Sequence, residues 1–187
     1  MTATTETAYL DTNILVAMAF EEEHNKPKIE SLLKDLKEGK YIAIISYLTL
    51  MEFLNAIRKK LTKNYSIDSD LNKIIKEIDN DSKRIYKDVI DLLIRFDPSK
   101  VRISSAYYVR VDRDLFHLLE TKIGKIIKIR CNCGKSDILF YKGLNAADIL
   151  HISVAKSLYT DYFITFDKDF KEIISEEYIK GMKIIIK

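Results

Sequence analysis

The stretch Ala8-Tyr9-Leu10-Asp11-Thr12-Asn13-Ile14-Leu15 constrains the fold more than any other part of the chain. A short apolar run ends on an acid, two small polar residues follow, and an apolar pattern at helical spacing begins. This predicts a strand over Thr7–Leu10 that leads at once into a helix from Asn13 to about Glu23, the opening of an α/β unit. Thr12 or Asn13 can cap that helix with a side-chain oxygen. Ligands of open parallel sheets bind beyond the carboxyl ends of the strands, so Asp11 stands at a functional position. It reads equally well as a cap or turn residue.

Beyond this unit, strands and helices alternate. Asn25 and Pro27 open a second helix by the cap-plus-early-proline signal, and Gly39 stops it. Tyr41–Ile45 is a continuous apolar run, the pattern of a strand buried on both faces of a parallel sheet. Ser46 or Thr49 starts a third helix that reaches about Lys63. A long helical region spans 67–96 with a break expected near Asn80, and Asp97-Pro98 ends it. Val101–Ile103 is a weak strand and 105–122 reads as helix. Residues 126–130 and 138–141 flank a polar turn and predict a hairpin. A helix over Asn145–Tyr159 and strands at Tyr162–Thr165 and Lys183–Ile186 complete an α/β layered chain.

The 187 residues fit one domain with an insertion at about 122–142. With 47% hydrophobic and 32% charged residues, 5 Gly and 2 Pro, the chain is neither disordered nor fibrous. A net charge of +3 permits a nucleic-acid partner without requiring one. The two cysteines, Cys131 and Cys133, are too close for an unstrained disulfide and too few for a zinc site. No apolar run is long enough for a membrane span, and the start of the chain lacks the form of a signal peptide. A cytoplasmic protein is expected.

Three further acids stand in settings as unusual as that of Asp11. Glu52 lies in Leu48-Thr49-Leu50-Met51-Glu52-Phe53-Leu54, where its neighbours three and four residues away are apolar or small. The plainer reading is an exposed Glu on an amphipathic helix. Asp148 interrupts a helix that is apolar nearly all the way round, Ala146–Ala155, and a buried ionised Asp needs compensation. The competing account places it near the helix start, held by the positive end of the dipole. Asp167 follows the strand Tyr162–Thr165 and reads otherwise as a turn Asp, with Asp169 as an alternate. If two strand ends and two helices bring these acids together, the carboxylates cannot all ionise without cations. Oxygen-rich clusters favour Mg²⁺ or Mn²⁺, which in pairs about 3.5–4 Å apart support phosphodiester hydrolysis.

With Leu10-Asp11-Thr12-Asn13, Glu52 in Thr49–Phe53, Asp148 in Gly143–His151 and Asp167 in Ile164–Phe170, the chain resembles PIN-domain nucleases of the VapC toxin type. The resemblance covers 7–60 and 143–187. Against small toxin members, 67–96 is extended and 122–142 inserted. It implies a three-layer α/β/α sandwich around a mostly parallel five-stranded sheet. It also implies Asp11, Glu52, Asp148 and Asp167 as the metal-binding and catalytic set, with Thr12, Asn13 and Thr165 as polar supports. The expected activity is a Mg²⁺- or Mn²⁺-dependent endoribonuclease, with RNA as substrate, an antitoxin protein as partner and a homodimer as assembly. Arg58 and Lys59 are candidate phosphate contacts, although a solvated helix end explains them too. The rival from another class is a catalytically silent PIN-like scaffold that binds RNA or protein. A phosphoacceptor receiver domain would want an acid doublet after strand one, which is absent. His151 reads as a packed core residue.

Overall fold

In chain order the elements are β1 (Glu6–Leu10), α1 (Thr12–Phe20), α2 (Lys26–Lys37), β2 (Tyr41–Ser46), α3 (Tyr47–Thr62), α4 (Leu71–Phe96), β3 (Val101–Ser104), β4 (Lys125–Arg130), β5 (Asp137–Lys142), α5 (Ala146–Ser157), β6 (Tyr162–Thr165) and β7 (Lys183–Ile186), with a 3₁₀ helix at Lys168–Ile173. The computed structural model describes residues 6–20, 25–63, 71–96, 101–104, 125–130, 137–175 and 179–187. The helix expected over 105–122 and the cysteine-bearing turn at 131–136 lie outside the described residues.

The main sheet has the order β3-β2-β1-β6-β7, and each neighbouring pair is parallel. From β1 the chain builds outward through β2 and β3, then returns to the other side of β1 with β6 and β7. The order therefore reverses between β1 and β6, where α/β sheets open a crevice at the carboxyl ends of the strands. The expected hairpin exists as β4 and β5, which pair antiparallel in a separate sheet.

Side chains alternate across the strands, so each strand feeds two cores. Ala8, Leu10, Ala43, Ile45 and Ile164 pack with α1 through α4 on one face. Tyr9, Ile44 and Phe163 pack with α5 and the 3₁₀ helix on the other. Phe163 stacks on Tyr9 with ring centroids 5.6 Å apart and touches Phe170 at 4.9 Å. Burial on both faces is why these strands read as unbroken apolar runs.

Local chemistry sets the helix ends, in part differently from expectation. Ser46 caps α3, accepting from the Thr49 N–H at 3.2 Å. At the start of α2 the Asn25 carbonyl, not its side chain, accepts from the Lys28 and Ile29 N–H groups. Gly39 follows α2 at φ 74°, a left-handed conformation that glycine adopts without a Cβ clash. Neither Thr12 nor Asn13 caps α1. The residue before the helix is Asp11, whose carbonyl accepts from the Ile14 N–H at 3.1 Å and whose Oδ1 accepts from the Thr12 N–H at 2.7 Å. Nor does α4 break at Asn80. Its buried stripe of Ile74, Ser82, Val89 and Leu93 runs on through that point, and Asn80 lies on the exposed face, where it disturbs no packing.

Candidate active site

Asp11 is the first residue past β1, and its N–H still bonds the Ile164 carbonyl of β6 at 3.1 Å. The carboxylate is 4% exposed. Oδ1 takes the Thr12 N–H, and Oδ2 takes the Thr165 hydroxyl at 2.7 Å. Burial pushes this carboxyl up and the Glu52 charge adds to the rise, while His151, Thr165 and the Thr12 N–H pull the other way. A carboxylate held this way gains from a nearby cation.

Thr165 and Asn13 form the floor beneath it. The Thr165 hydroxyl, while donating to Asp11, accepts from Asn13 Nδ2 at 2.8 Å and from the Asp167 N–H at 3.0 Å. Asn13 Oδ1 in turn accepts from the Phe166 N–H at 3.1 Å. One Asn on α1 thus fixes both the end of β6 and the loop that carries Asp167. Asp167 Oδ1 caps the 3₁₀ helix by accepting from the Asp169 N–H at 2.8 Å.

Glu52 lies on α3 with 31% of its side chain exposed. Its Oε2 receives the Thr12 hydroxyl at 3.0 Å and faces His151 Nε2 at 2.6 Å. The His151 hydrogen bond holds Glu52 below the usual carboxylate range, against an opposing contribution from burial. His151 comes from α5 and is 1% exposed. Its Nδ1 meets the Tyr9 hydroxyl at 2.8 Å, and that hydroxyl also meets Ser46 Oγ at 2.6 Å and Thr49 Oγ1 at 2.9 Å.

Asp148 sits in the first turn of α5 and closes a capping box. Asn145 Oδ1 accepts from the Ala147 and Asp148 N–H groups, and Asp148 Oδ2 accepts from the Asn145 N–H at 2.7 Å. The helix-start account of Asp148 is therefore correct as far as it goes. Burial nevertheless pushes the carboxyl up to about 6, with further upward pressure from Asp11 and Asp167 and relief from the Asn145 N–H and His151. A residue that only capped a helix would be held down by the dipole and its N–H bond.

The four acids are thus linked electrostatically, Asp11 with Glu52 and Asp148 with both Asp11 and Asp167. Among the described residues, no hydrogen bond reaches Glu52 Oε1, Asp148 Oδ1 or Asp167 Oδ2. Among the described residues no buried side-chain oxygen lacks a partner, so these three oxygens reach solvent. Among the described residues, no three Asp, Glu, His or Cys side chains form a ready-made metal cage. Mg²⁺ keeps several waters and is held through one or two carboxylates, so open carboxylate oxygens suit it. The donor set fits a hard divalent cation.

Arg58 and Lys59 lie further along α3. Arg58 pairs with Asp79 of α4 at 2.7 Å, and Lys59 is exposed. Tyr9, Ser46, Thr49 and His151 are the site-adjacent residues that sequence reasoning left out of the site. One signal was present, since a Tyr in a strand buried on both faces must place its hydroxyl on a partner.

A family model described as PIN domain matches residues 8–175. No curated protein sequence matches the chain. Among solved structures, the chain resembles VapBC2 from Rickettsia felis bound to a DNA fragment from its promoter, at 17% identity and a TM-score of 0.46, over 96% of this chain and 98% of that one. It also resembles Mycobacterium tuberculosis VapC20, a Sarcin-Ricin loop cleaving toxin, at 14% identity and a TM-score of 0.49, over 89% and 94%.

Proposed function

The chain belongs to the PIN-domain family, matched over residues 8–175, and from that premise we propose that it is a divalent-metal-dependent endoribonuclease that hydrolyses RNA phosphodiester bonds. The observation that carries this reading is the group of acids around the strand-order reversal between β1 and β6, with three carboxylate oxygens still open. Asp11, Glu52, Asp148 and Asp167 would hold Mg²⁺ or Mn²⁺. Such an ion supplies an activated water and neutralises charge on the phosphate oxygens.

The chain's own residues do the positioning. Thr165 and Thr12 fix the two oxygens of Asp11, one through its hydroxyl and one through its N–H. Asn13 ties the Asp167 loop to α1, so that acids from opposite ends of the chain keep one geometry. Arg58 and Lys59, six and seven residues past Glu52 and about 9–10 Å along the helix axis, supply positive charge for the RNA backbone. The same reading extends to a toxin paired with an antitoxin protein and to a homodimer. Among the described residues, no helix is long and apolar enough to cross a membrane.

The test is cleavage of single-stranded RNA by the purified chain in Mn²⁺, with EDTA, Asp11→Asn and Asp148→Asn as comparisons. Loss of cleavage in all three, with the fold retained, is expected. Full activity of either folded variant, or in EDTA, would remove the assignment.

A further inference from the structure

Resting on the nuclease reading, we propose that His151 is a positioning residue. Locked by Tyr9, it turns the Glu52 carboxylate so that Oε1 is presented to a divalent cation.

Thr49, Tyr9, His151 and Glu52 close a ring of polar side chains through one turn of α3. Thr49 precedes Glu52 by three residues, close to one turn of α3. Thr49 Oγ1 meets the Tyr9 hydroxyl at 2.9 Å, that hydroxyl meets His151 Nδ1 at 2.8 Å, and His151 Nε2 returns to Glu52 Oε2 at 2.6 Å. The ring joins β1, α3 and α5, elements that meet only in the folded chain.

Proton placement around the ring follows from what each group can do. An ionised carboxylate only accepts, so Nε2 must carry the hydrogen. Nδ1 is then left for the Tyr9 hydroxyl at 2.8 Å, and that hydroxyl is held in turn by the Ser46 and Thr49 hydroxyls at 2.6 and 2.9 Å. The Thr12 hydroxyl also lies 3.2 Å from Nε2. The hydrogen bond on one ring nitrogen sets what the other offers.

The consequence falls on Glu52. Its Oε2 receives both the Thr12 hydroxyl and the imidazole N–H, while no donor among the described residues reaches Oε1. A carboxylate saturated on one oxygen and bare on the other has its metal-facing side chosen in advance. Partners that orient a ligating group in this way commonly govern metal affinity about 10–100-fold. Simple core packing explains the burial of His151 but neither this asymmetry nor the hydroxyls gathered on Tyr9.

Two measurements test the proposal. Nitrogen-15 NMR of the wild-type imidazole at neutral pH is expected to show a proton on Nε2 of His151, and its absence overturns the proposal. Calorimetric titration with Mn²⁺ alone is expected to show about 10–100-fold weaker binding in His151→Leu, in a protein whose melting in EDTA shows it folded. Cleavage by that variant should recover as Mn²⁺ is raised. His151→Gln, which keeps an N–H near the Nε2 position, is expected to bind more tightly than the Leu variant. If His151→Leu does not fold, Tyr9→Phe decides, with a smaller loss of Mn²⁺ affinity expected and unchanged affinity contradicting the idea. A wild-type chain that binds Mn²⁺ and cleaves RNA, beside a folded His151→Leu of unchanged affinity, sinks the positioning role alone. A wild-type chain that does neither sinks the nuclease reading and this inference with it.

Discussion

The Thr165 hydroxyl stands 2.7 Å from Asp11 Oδ2 and is the hub on which two ends of the chain meet, since it also accepts from Asn13 and from the Asp167 N–H. Replacing it with Val keeps the shape and removes all three bonds. Two donors and one buried carboxylate oxygen lose their partner, at a cost of about 1–3 kcal/mol. Thr165→Val is therefore expected to lower the denaturant midpoint by that order in EDTA and to raise the Asp11 pKa further. Thr165→Ser, which keeps the hydroxyl, is expected to stay near wild type. Equal stability of the Val and wild-type proteins would show the hub to be idle.

Asp148 predicts a pH dependence of definite sign. Its folded carboxyl titrates near 6 and its ordinary value is 3.8. A group raised on folding favours the folded state when protonated, so its contribution is complete below about 3.8 and is lost as pH rises through 6. In EDTA, Asp148→Asn is expected to flatten the stability profile between those values. The side chain is partly exposed, so solvent screening keeps the gain at pH 7 to about 1 kcal/mol or less. The same variant is expected to lose cleavage, a gain of stability at the expense of function. Thermal melts from pH 4 to 7 of wild type minus variant isolate the effect, and a flat difference would contradict it.

How much of this was legible in the sequence depends on what each residue touches. Strands β1, β2 and β6 could be read because a parallel sheet covered on both sides demands unbroken apolar runs, as in Tyr41–Ile45, and β7 by its shorter run Ile184–Ile186. Asn80 misled because polarity was visible and the face it occupies was not. Thr12 and Asn13 each carry a side chain able to cap α1. In the fold Thr12 spends its hydroxyl on Glu52 and Asn13 spends its amide on Thr165, leaving Asp11 for the N–H. His151 was read as core, and it is buried. Its second role depends on a Tyr hydroxyl 142 positions away in sequence, and no local pattern reports such a meeting.

Arg58 and Lys59 are adjacent in sequence and differ in what they can give to RNA. Arg58 is paired with Asp79 on the surface at 2.7 Å. Lys59 is exposed. Lys59→Ala is expected to weaken RNA binding similarly across sequences, to reduce the slope of log K against log salt by about one, and to leave Mn²⁺ affinity unchanged. Arg58→Ala is expected to do less to RNA binding, because Asp79 already draws on that charge. Binding isotherms at three salt concentrations compare them, and an unaltered slope in Lys59→Ala removes it from the RNA contact.

Metal binding itself is expected to appear as stability. A ligand that binds only the folded chain stabilises it by RT ln(1 + [L]/Kd), about 2.7 kcal/mol at a hundredfold excess over Kd. Asp11 and Asp148 are both pushed up without a cation, so a bound ion also removes their reason to resist ionisation. Mn²⁺ is therefore expected to raise the melting temperature of the wild-type chain more at pH 7 than at pH 5, where protonated Asp148 competes with it. Asp11→Asn is expected to lose most of that rise at both values. Thermal melts with Mn²⁺ and with EDTA at the two pH values decide, and a rise of equal size in wild type and Asp11→Asn would mean that the ion binds somewhere other than these acids.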